Sequence, residues 1–393
     1  MSEQTFKILS LDGGGSWALI QVRALMSLFD ENMPGREILS NFDLVAANSG
    51  GSIVAAGLAA NMTLTRMNSF FMDPDSRNSV FVEKWDAELF RIFGLGPRYK
   101  TDAKLEGLRK ALAPTGDMKL GDIPALIARD SGATHFIITS FDYDRQRAVF
   151  FRSDPNSAAQ SSAVSPMPTL GEAVHASSTA PVNYFDKPAI FPDSEDRRRF
   201  WDGGTAGLNN PVLAAVTEAL AYGKPRENIK VLTIGTGSVC LPLENDDVHP
   251  PLAVSPAETS TIGDIKKLSK TIVEDPPDAA TFISHVALGQ PLTGSDGKPP
   301  CGNLVRLNPL IQPLKDAAGW SLPRGLTESE FENLVKMDMD ATEQDEINLI
   351  AKFCDLWKGD NIPNQPIRSG QDFNCDIGHA RFSEALAHWK SIF

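Results

Sequence analysis

Two short apolar runs near the beginning of the chain each stop at a cluster of small residues and give way to a helical pattern. The first run, residues 6–11 (FKILSL), ends before the glycines 13–15, and large apolar side chains then recur at helical spacing through residues 17–29. The second run, residues 44–47, is followed by the turn sequence 48–51 and by small residues at helical spacing. Two strand–turn–helix units in succession predict a parallel sheet covered by helices.

The rest of the chain contains further elements of both kinds. Apolar runs predict strands at 134–141, 148–151, 199–201 and 230–235, and helical patterns predict helices at 170–176, 211–222 and 342–357. The mixed, partly helical residues 62–132 are interpreted as a cap or insertion, and the proline-rich residues 241–261 as a loop. Each of these two segments could cover a site as a lid.

Composition and charge narrow the classes of function. The formal net charge is −13 at pH 7 and the Lys and Arg residues form only short runs, which disfavours a nucleic-acid partner. The first residues carry no signal-peptide pattern, and no apolar run reaches the roughly 18 residues of a membrane-spanning helix, so we expect a cytoplasmic protein. The four cysteines are too few and too widely spaced for a disulfide framework and are interpreted as free thiols, most of them buried.

The segment Ala47-Asn48-Ser49-Gly50-Gly51 matches a nucleophile elbow, G-x-S-x-G, with alanine in place of the first glycine. In such an elbow a sharp turn between a strand and a helix exposes the serine hydroxyl, so the residues two before and two after the serine must be small. Ala47 and Gly51 meet this demand. An isolated motif of this kind is more often a turn without a catalytic role, but the predicted strand before Ser49 and the predicted helix after it favour a nucleophile.

A serine nucleophile needs a base that accepts its proton. Of the six histidines, only His285 lies where the Ser, Asp, His order of an α/β-hydrolase would want it, and no motif surrounds it. Asp202 ends a predicted strand and precedes Gly203 and Gly204, so its carboxylate can project towards Ser49 if the two strands are neighbours. A turn-forming aspartate in an Asp-Gly-Gly sequence explains the same three residues equally well.

Gly13, Gly14 and Gly15 place several backbone N–H groups at the start of a predicted helix, an arrangement that binds anions. In an ester hydrolase the anion is the oxyanion of the tetrahedral intermediate, and the loss of one such donor costs about 3 kcal/mol in the transition state. The same glycines followed by Ala18 also satisfy the dinucleotide fingerprint G-x-G-x-x-G/A. That fingerprint requires an acidic residue at the end of the next strand, where this chain has Ser49, so a nucleotide-dependent oxidoreductase is disfavoured.

Taken in order, three motifs resemble those of the patatin-like phospholipase family. They are the oxyanion loop D-G-G-G-x-x-G at Asp12-Gly13-Gly14-Gly15, the elbow at residues 47–51, and the D-G-G/A motif at Asp202-Gly203-Gly204. Other stretches similar to the family lie at residues 176–181 (ASSTAP), 209–211 (NNP), 234–237 (IGTG) and 304–309 (LVRLNP). The resemblance divides the chain into a catalytic domain, residues 5–358, and a C-terminal extension, residues 359–393.

The resemblance implies a three-layer α/β/α fold with a mainly parallel central sheet. It further implies that Ser49 is acylated, that Asp202 is its base without help from a histidine, and that the N–H groups of residues 13–15 hold the oxyanion. The substrate would be a phospholipid or another fatty acyl ester, met at a membrane or micelle surface. No H-E-x-x-H or other cluster of metal ligands is evident along the chain, so neither a metal nor an organic cofactor is expected.

The chain departs from the family pattern at four positions. Trp17 stands where the family usually has Arg or Lys, Ala18 and Ala47 replace glycines, and His175, interpreted as a residue of a helix surface, replaces an arginine. We expect Trp17 to form an apolar wall of the site. The altered oxyanion loop also keeps open a lipid-binding protein without catalysis, and His285 keeps open a Ser-His-Asp triad.

Overall fold

The computed structural model of the chain describes residues 5–80, 84, 97–129, 132–157, 167–192, 197–244, 248, 250–256, 258–294, 297–317, 319–370 and 373–393. The strands are β1 (Phe6–Leu11), β2 (Leu44–Ala47), β3 (Ala128–Arg129), β4 (Gly132–Ala133), β5 (His135–Asp142), β6 (Arg147–Arg152), β7 (Ala189–Ile190), β8 (Arg199–Asp202), β9 (Ile229–Ile234), β10 (Ser238–Val239), β11 (Leu304–Leu307), β12 (Leu310–Ile311), β13 (Leu314–Asp316), β14 (Gly319–Ser321), β15 (Arg368–Ser369) and β16 (Cys375–Ile377).

Helices alternate with these strands along most of the chain. The α-helices are α1 (Leu19–Leu25), α2 (Gly35–Leu39), α3 (Ser49–Ala59), α4 (Leu64–Met72), α5 (Pro74–Val80), α6 (Thr101–Leu112), α7 (Leu170–Ser177), α8 (Val212–Ala221), α9 (Thr261–Ala287), α10 (Glu328–Lys336), α11 (Gln344–Lys358) and α12 (Phe382–Ile392). Short 3-10 helices span Gly15–Ala18, Thr115–Asp117, Leu120–Ile127, Gly203–Ala206, Arg226–Asn228 and Pro250–Leu252. None of the helices described here combines the length and hydrophobicity needed to cross a membrane.

Eight of the described strands form one central sheet in the order β11-β9-β1-β2-β5-β8-β7, with β6 paired to β5. The five strands from β11 to β5 run parallel to one another, whereas β6, β7 and β8 pair in antiparallel fashion. The prediction of a mainly parallel sheet from the two strand–turn–helix units is thereby confirmed. Because these five strands point the same way, their carboxyl ends lie along one edge of the sheet.

Alternation along β1 shows how the sheet forms the middle of three layers. Leu9 and Leu11 pack into the apolar cluster that contains α1, α3, α7 and α11, while Phe6 and Ile8 pack into the cluster that contains α8. Successive side chains of a strand point to opposite faces, so a strand covered on both faces must be apolar throughout. The three-layer α/β/α arrangement is therefore confirmed.

Several elements differ from the sequence prediction. The helix expected through residues 17–29 begins as a 3-10 turn and ends at Leu25. Helix α9, which contains Pro276 and Pro277, was not predicted, because prolines ordinarily interrupt helices. The expected cap and proline-rich loop lie partly outside the described residues, and the described part of the cap contains α4, α5 and α6.

The C-terminal residues pack onto the same core as the rest of the chain. Phe382 and Trp389 of α12 are buried, and the Trp389 ring stacks on Phe42 at a centroid distance of 6.4 Å. The division of the chain at residue 358 stays a prediction.

Candidate active site

Ser49 stands at the sharp turn between β2 and α3, where the elbow motif predicts it. Its backbone φ is +47°, a left-handed conformation that is uncommon for a residue with a side chain. A Cβ atom on Gly51 would lie 2.5 Å from the backbone oxygen of Asp12, and one on Gly50 would lie 2.5 Å from that of Gly15. The elbow packs so closely on the glycine loop that only glycine fits at the two positions after the serine.

The strands of Ser49 and Asp202, β2 and β8, lie on the same side of β5, because residues 137–142 of β5 pair with β6 on its other side. Both strands pair with β5, Ala47 opposite Ile138 and Asp202 opposite Ser140. Ser49 follows Ala47 by two residues, just as Ser140 follows Ile138. The ends of β2 and β8 therefore face each other along β5, and this register places Asp202 next to Ser49.

The Asp202 carboxylate is buried and surrounded by hydrogen-bond donors. Its Oδ1 accepts the backbone N–H of Gly204 at 2.8 Å and the side-chain amide of Asn48 at 3.0 Å, and the Ser49 side chain lies close enough to favour the charged carboxylate. Burial raises the pKa of Asp202 above the ordinary aspartate value, while these neighbours, Ser49 first, oppose the rise. The structure thus gives Ser49 a carboxylate partner whose proton affinity exceeds that of an exposed aspartate.

Asn48 connects the elbow to the surrounding strands and was not identified from the sequence as more than a turn residue. Its Oδ1 accepts the Thr139 hydroxyl at 2.7 Å, and its Nδ2 donates to Asp202. A Cβ on Gly203 would lie 2.4 Å from that Oδ1, which explains the glycine after Asp202. Ser177, from the ASSTAP stretch, donates to Asn48 Oδ1 at 3.4 Å and accepts the Ser49 N–H at 2.9 Å. The network fixes the nucleophile and the carboxylate relative to each other.

The glycine loop between β1 and α1 lies directly beside the elbow. The N–H of Gly13 donates to the backbone oxygen of Asn209 at 2.8 Å, so this group already has an acceptor. In the described part of the chain, the N–H groups of Gly14 and Gly15 meet no such acceptor. Two of the three predicted oxyanion donors therefore have no backbone acceptor among the described residues, and one of them, Gly15, lines the pocket that contains Ser49.

Asp12, which opens the loop, turns away from the nucleophile. Its carboxylate pairs with Arg306 at 2.6 Å, and both side chains are buried. Burial raises the pKa of Asp12 to about 6, although the Arg306 charge and hydrogen bond act against the rise. The pair joins the glycine loop to β11, so Asp12 supports the loop rather than contacting Ser49.

Residues 338–340, which we call the strap, cross the mouth of the site between α10 and α11. The Met339 carbonyl accepts the Ser16 N–H at 3.0 Å, and a Cβ on Gly15 would lie 2.2 Å from it. Trp17, expected to form an apolar wall, is buried and donates its indole N–H to the Asp338 carbonyl at 3.0 Å. Trp17, which departs from the family motif, therefore anchors the strap through this hydrogen bond.

The strap is also anchored by charge. The Arg98 guanidinium pairs with Asp338 at 2.9 Å and with Asp340 at 3.1 Å, and the Tyr99 hydroxyl donates to Asp340 at 2.6 Å. Tyr184 donates a further hydrogen bond to Asp338. These contacts keep Met339 over the glycine loop.

Two pockets meet at α3. The first, about 340 Å³ including its opening, contains the Ser49 side chain and is lined by Gly15, Ser49, Gly50, Ile53, Lys104, Ser178, Ala180, Tyr184, Phe185, Met339 and Asp340. The second, about 310 Å³ including its opening, is lined by Ile53, Gly57, Met62, Met67, Phe70, Phe71, Leu108, Ala111 and Leu112. Ile53 belongs to both linings, so an apolar pocket begins beside the nucleophile.

Lys104 lies buried in the wall of the first pocket and was not predicted to have a role. Its Nζ donates to the Thr179 hydroxyl at 3.0 Å and lies 4.3 Å from the centre of the Phe185 ring. Burial lowers the pKa of Lys104 far below the ordinary lysine value, and the negative charge of Asp202 opposes this effect. Its signal in the sequence, one lysine on the apolar face of a helix, is too weak to single it out.

The histidines take no part in the contacts of Ser49 and Asp202 within the described residues. His285 lies on α9, with Nε2 2.9 Å from the Pro291 carbonyl. His175 was expected on a helix surface, and this is wrong, because it is only 2% exposed. A triad through His285 receives no support from these contacts.

The sequence of this chain matches the sequence model of one protein family. A sequence model of the patatin-like phospholipase family matches residues 9–216, which hold the glycine loop, Ser49 and Asp202. The chain belongs to the patatin-like phospholipase family.

Two curated phospholipases are similar in sequence to this chain. The cGAMP-activated phospholipase of Pseudomonas aeruginosa is 26% identical over 238 residues, which cover 60% of this chain and 63% of that protein. The cUMP-AMP-activated phospholipase of Escherichia coli is 24% identical over 239 residues, covering 59% of this chain and 64% of that protein. The matched segments thus span less than two thirds of the curated relatives. A structural alignment with the crystal structure of VipD from Legionella pneumophila covers 90% of this chain and 67% of the VipD chain. The sequence identity is 11% and the TM-score is 0.36.

Proposed function

We propose that this protein is a lipid acyl hydrolase that cleaves fatty acyl esters through an acyl-enzyme on Ser49. The observation that carries the proposal is the buried Asp202 carboxylate beside the Ser49 side chain, which lines a pocket. A hydroxyl becomes a useful nucleophile only when a neighbouring base takes its proton, and Asp202 supplies that base. Membership of a phospholipase family supports an ester of a lipid as substrate.

The two side chains suffice for both halves of the reaction. As Ser49 Oγ attacks the ester carbonyl, its proton passes to Asp202, and the protonated acid then gives this proton to the departing alcohol. The carbon–oxygen bond to the alcohol breaks and the acyl group remains on Ser49. Water then attacks the acyl-enzyme while Asp202 takes its proton, and transfer of that proton to Ser49 Oγ releases the fatty acid and restores the hydroxyl.

The negative oxygen formed in each half needs donors that are already in place. We assign this role to the N–H groups of Gly14 and Gly15, because that of Gly13 is occupied by Asn209. Gly15 has φ +55° and lies against Gly50, so its loop directly adjoins the nucleophile. Loss of one such donor typically costs about 3 kcal/mol in the transition state.

The fatty acyl chain is proposed to lie along the open apolar pocket that begins at Ile53. Its lining consists of aliphatic, methionine and phenylalanine side chains together with Gly57 and Ala111, which suits a hydrocarbon chain and offers no partner to a polar group. Methionines adapt their shape to a flexible ligand, and Met62 and Met67 form one wall. The polar head of the lipid would remain in the first pocket or in solvent, at the surface of a membrane or micelle.

The test compares hydrolysis of a p-nitrophenyl fatty acyl ester and of phospholipid vesicles by wild type, Ser49→Ala and Asp202→Asn. The control for a serine-to-alanine change is Ser27→Ala, just after α1. Removal of a general base is expected to lower kcat by about 100-fold to 10,000-fold. Both site variants should unfold at the temperature of wild type, and Ser27→Ala should retain wild-type rates. Retention of activity by either folded site variant would contradict the dyad.

Each assay is run with and without cGAMP and cUMP-AMP, because two relatives are phospholipases activated by these molecules. Activity that requires one of them would extend the proposal to nucleotide control of this chain. A wild type that is silent under all these conditions but retains fatty acyl lipid would instead favour the alternative, a lipid-binding protein without catalysis.

A further inference from the structure

Three side chains with metal-binding atoms come together far along the chain from the nucleophile. The Cys301 sulfur lies 3.8 Å from Nδ1 of His379, and Nε2 of His379 lies 2.8 Å from Nδ1 of His388. One such atom from each residue lies within 4.8 Å of the corresponding atoms of the other two. Cys301 precedes β11 and Ser49 follows the parallel strand β2, so the group lies at the opposite edge of the sheet from the active site.

The three side chains come from separate segments whose backbones are fixed. Cys301 lies in the loop before β11, His379 two residues after β16, and His388 on α12. Next to His379, the N–H of Gly378 donates to the Pro300 carbonyl at 3.0 Å. The carbonyl of His379 itself accepts an amide N–H of Asn364 at 2.9 Å. Backbone hydrogen bonds therefore bring the loop of Cys301 and the segment of His379 together independently of any ligand.

We propose that Cys301, His379 and His388 bind a zinc ion. One thiolate and two imidazoles are the ligand types that zinc takes in proteins. Around a tetrahedral zinc, donor atoms lie about 3.3–3.7 Å apart, given Zn–N and Zn–S distances of about 2.0–2.3 Å. One donor atom of each residue lies within 4.8 Å of the other two, so rotation of the side chains would bring the three atoms into this range. The facing nitrogens of His379 and His388 can share at most one proton, so at least one lone pair points into the group.

The site would fasten the C-terminal segment to the sheet. Structural zinc sites have four ligands, so a water molecule or a further side chain would complete the coordination. The ion would then join the loop before β11, the segment after β16, and α12. All three residues lie outside the family match of residues 9–216, so the site would be a property of this chain rather than of the catalytic machinery.

The test measures metal in the full-length wild-type protein purified under reducing conditions. We expect about one zinc per chain by mass spectrometry of the metal. After removal by a chelator, titration with cobalt(II) should give the absorption of a tetrahedral thiolate complex, and added zinc should abolish it. Zinc at about 100 times its Kd should raise the Tm of the 393-residue chain by about 3 °C.

Variants locate the ligands. Cys301→Ser should lose the thiolate-to-cobalt absorption and His388→Asn the tetrahedral bands, whereas Cys240→Ser, another half-buried thiol, should behave as wild type. Failure of the chelated wild type to bind either metal would overturn the proposal without recourse to any variant. It would equally be overturned by a cobalt spectrum that Cys301→Ser leaves unchanged.

Discussion

Substitution of Gly57 by leucine should shorten the acyl chains that the enzyme accepts. Gly57 lies on α3 in the lining of the apolar pocket, where a Cβ atom would meet the Met67 methyl group at 2.9 Å and the Met62 sulfur at 3.6 Å. These neighbours are the ends of flexible side chains, so α3 can accept a side chain here while the pocket loses volume. The substitution therefore changes the proposed chain site without touching Ser49 or Asp202.

The magnitude follows from the number of methylenes displaced. A leucine side chain has four carbon atoms and would occupy the space of about four acyl methylenes, each worth about 0.8 kcal/mol when buried. Their loss amounts to about 3 kcal/mol, or roughly 100-fold in kcat/KM, for a chain long enough to reach the site. A butyryl ester, which ends before this depth, should change by no more than about threefold.

The assay compares kcat/KM for p-nitrophenyl palmitate and p-nitrophenyl butyrate. Gly57→Ala is the matched control, because its single methyl group displaces only the Met67 side chain and should leave the palmitate-to-butyrate ratio near that of wild type. Ala111→Leu narrows the pocket from α6 and should reproduce the change in ratio. If Gly57→Leu folds normally and lowers both substrates by the same factor, the acyl chain does not lie in this pocket.

Three further outcomes are expected. Because burial holds the Asp202 pKa above the ordinary value and the base must be ionised, kcat/KM should fall as the pH drops through that raised pKa. Asn48→Ala removes a hydrogen bond that lowers the Asp202 pKa, so the acid limb of its pH–rate profile should move to higher pH. An acid limb that does not move would count against the assignment of Asp202 as the base. Arg306→Met leaves the Asp12 carboxylate buried without its partner and should cost about 3–5 kcal/mol in urea unfolding, a loss that the added Asp12→Asn should partly reverse. Arg98→Ala removes the charge that anchors the strap and should raise the rate on vesicles relative to a short soluble ester; an unchanged ratio would show that the strap does not limit access.

Local features of the sequence were sufficient to predict much of the fold. Strands such as β5 and helices such as α11 follow from apolar periodicity, which reports the side chains that one element must bury. The elbow at Ser49 was predictable for a related reason, since steric crowding allows only small residues beside the turn. Helix α9 was missed because its two prolines contradict the local rule, and a long-range contact supports it there: Asn210 donates to the Pro277 carbonyl at 3.2 Å.

What the sequence could not determine is which distant residues meet. The motif Asp-Gly-Gly fits a simple turn as well as a base, and only the pairing of two strands with β5 brings Asp202 to Ser49. Trp17 could be named as unusual, but its hydrogen bond to the strap depends on a segment more than 300 residues away. Cys301 and His388 likewise form no local pattern. Sequence periodicity and sterics act over a few neighbouring residues, whereas strand order and helix packing bring together side chains whose separation along the chain carries no signal.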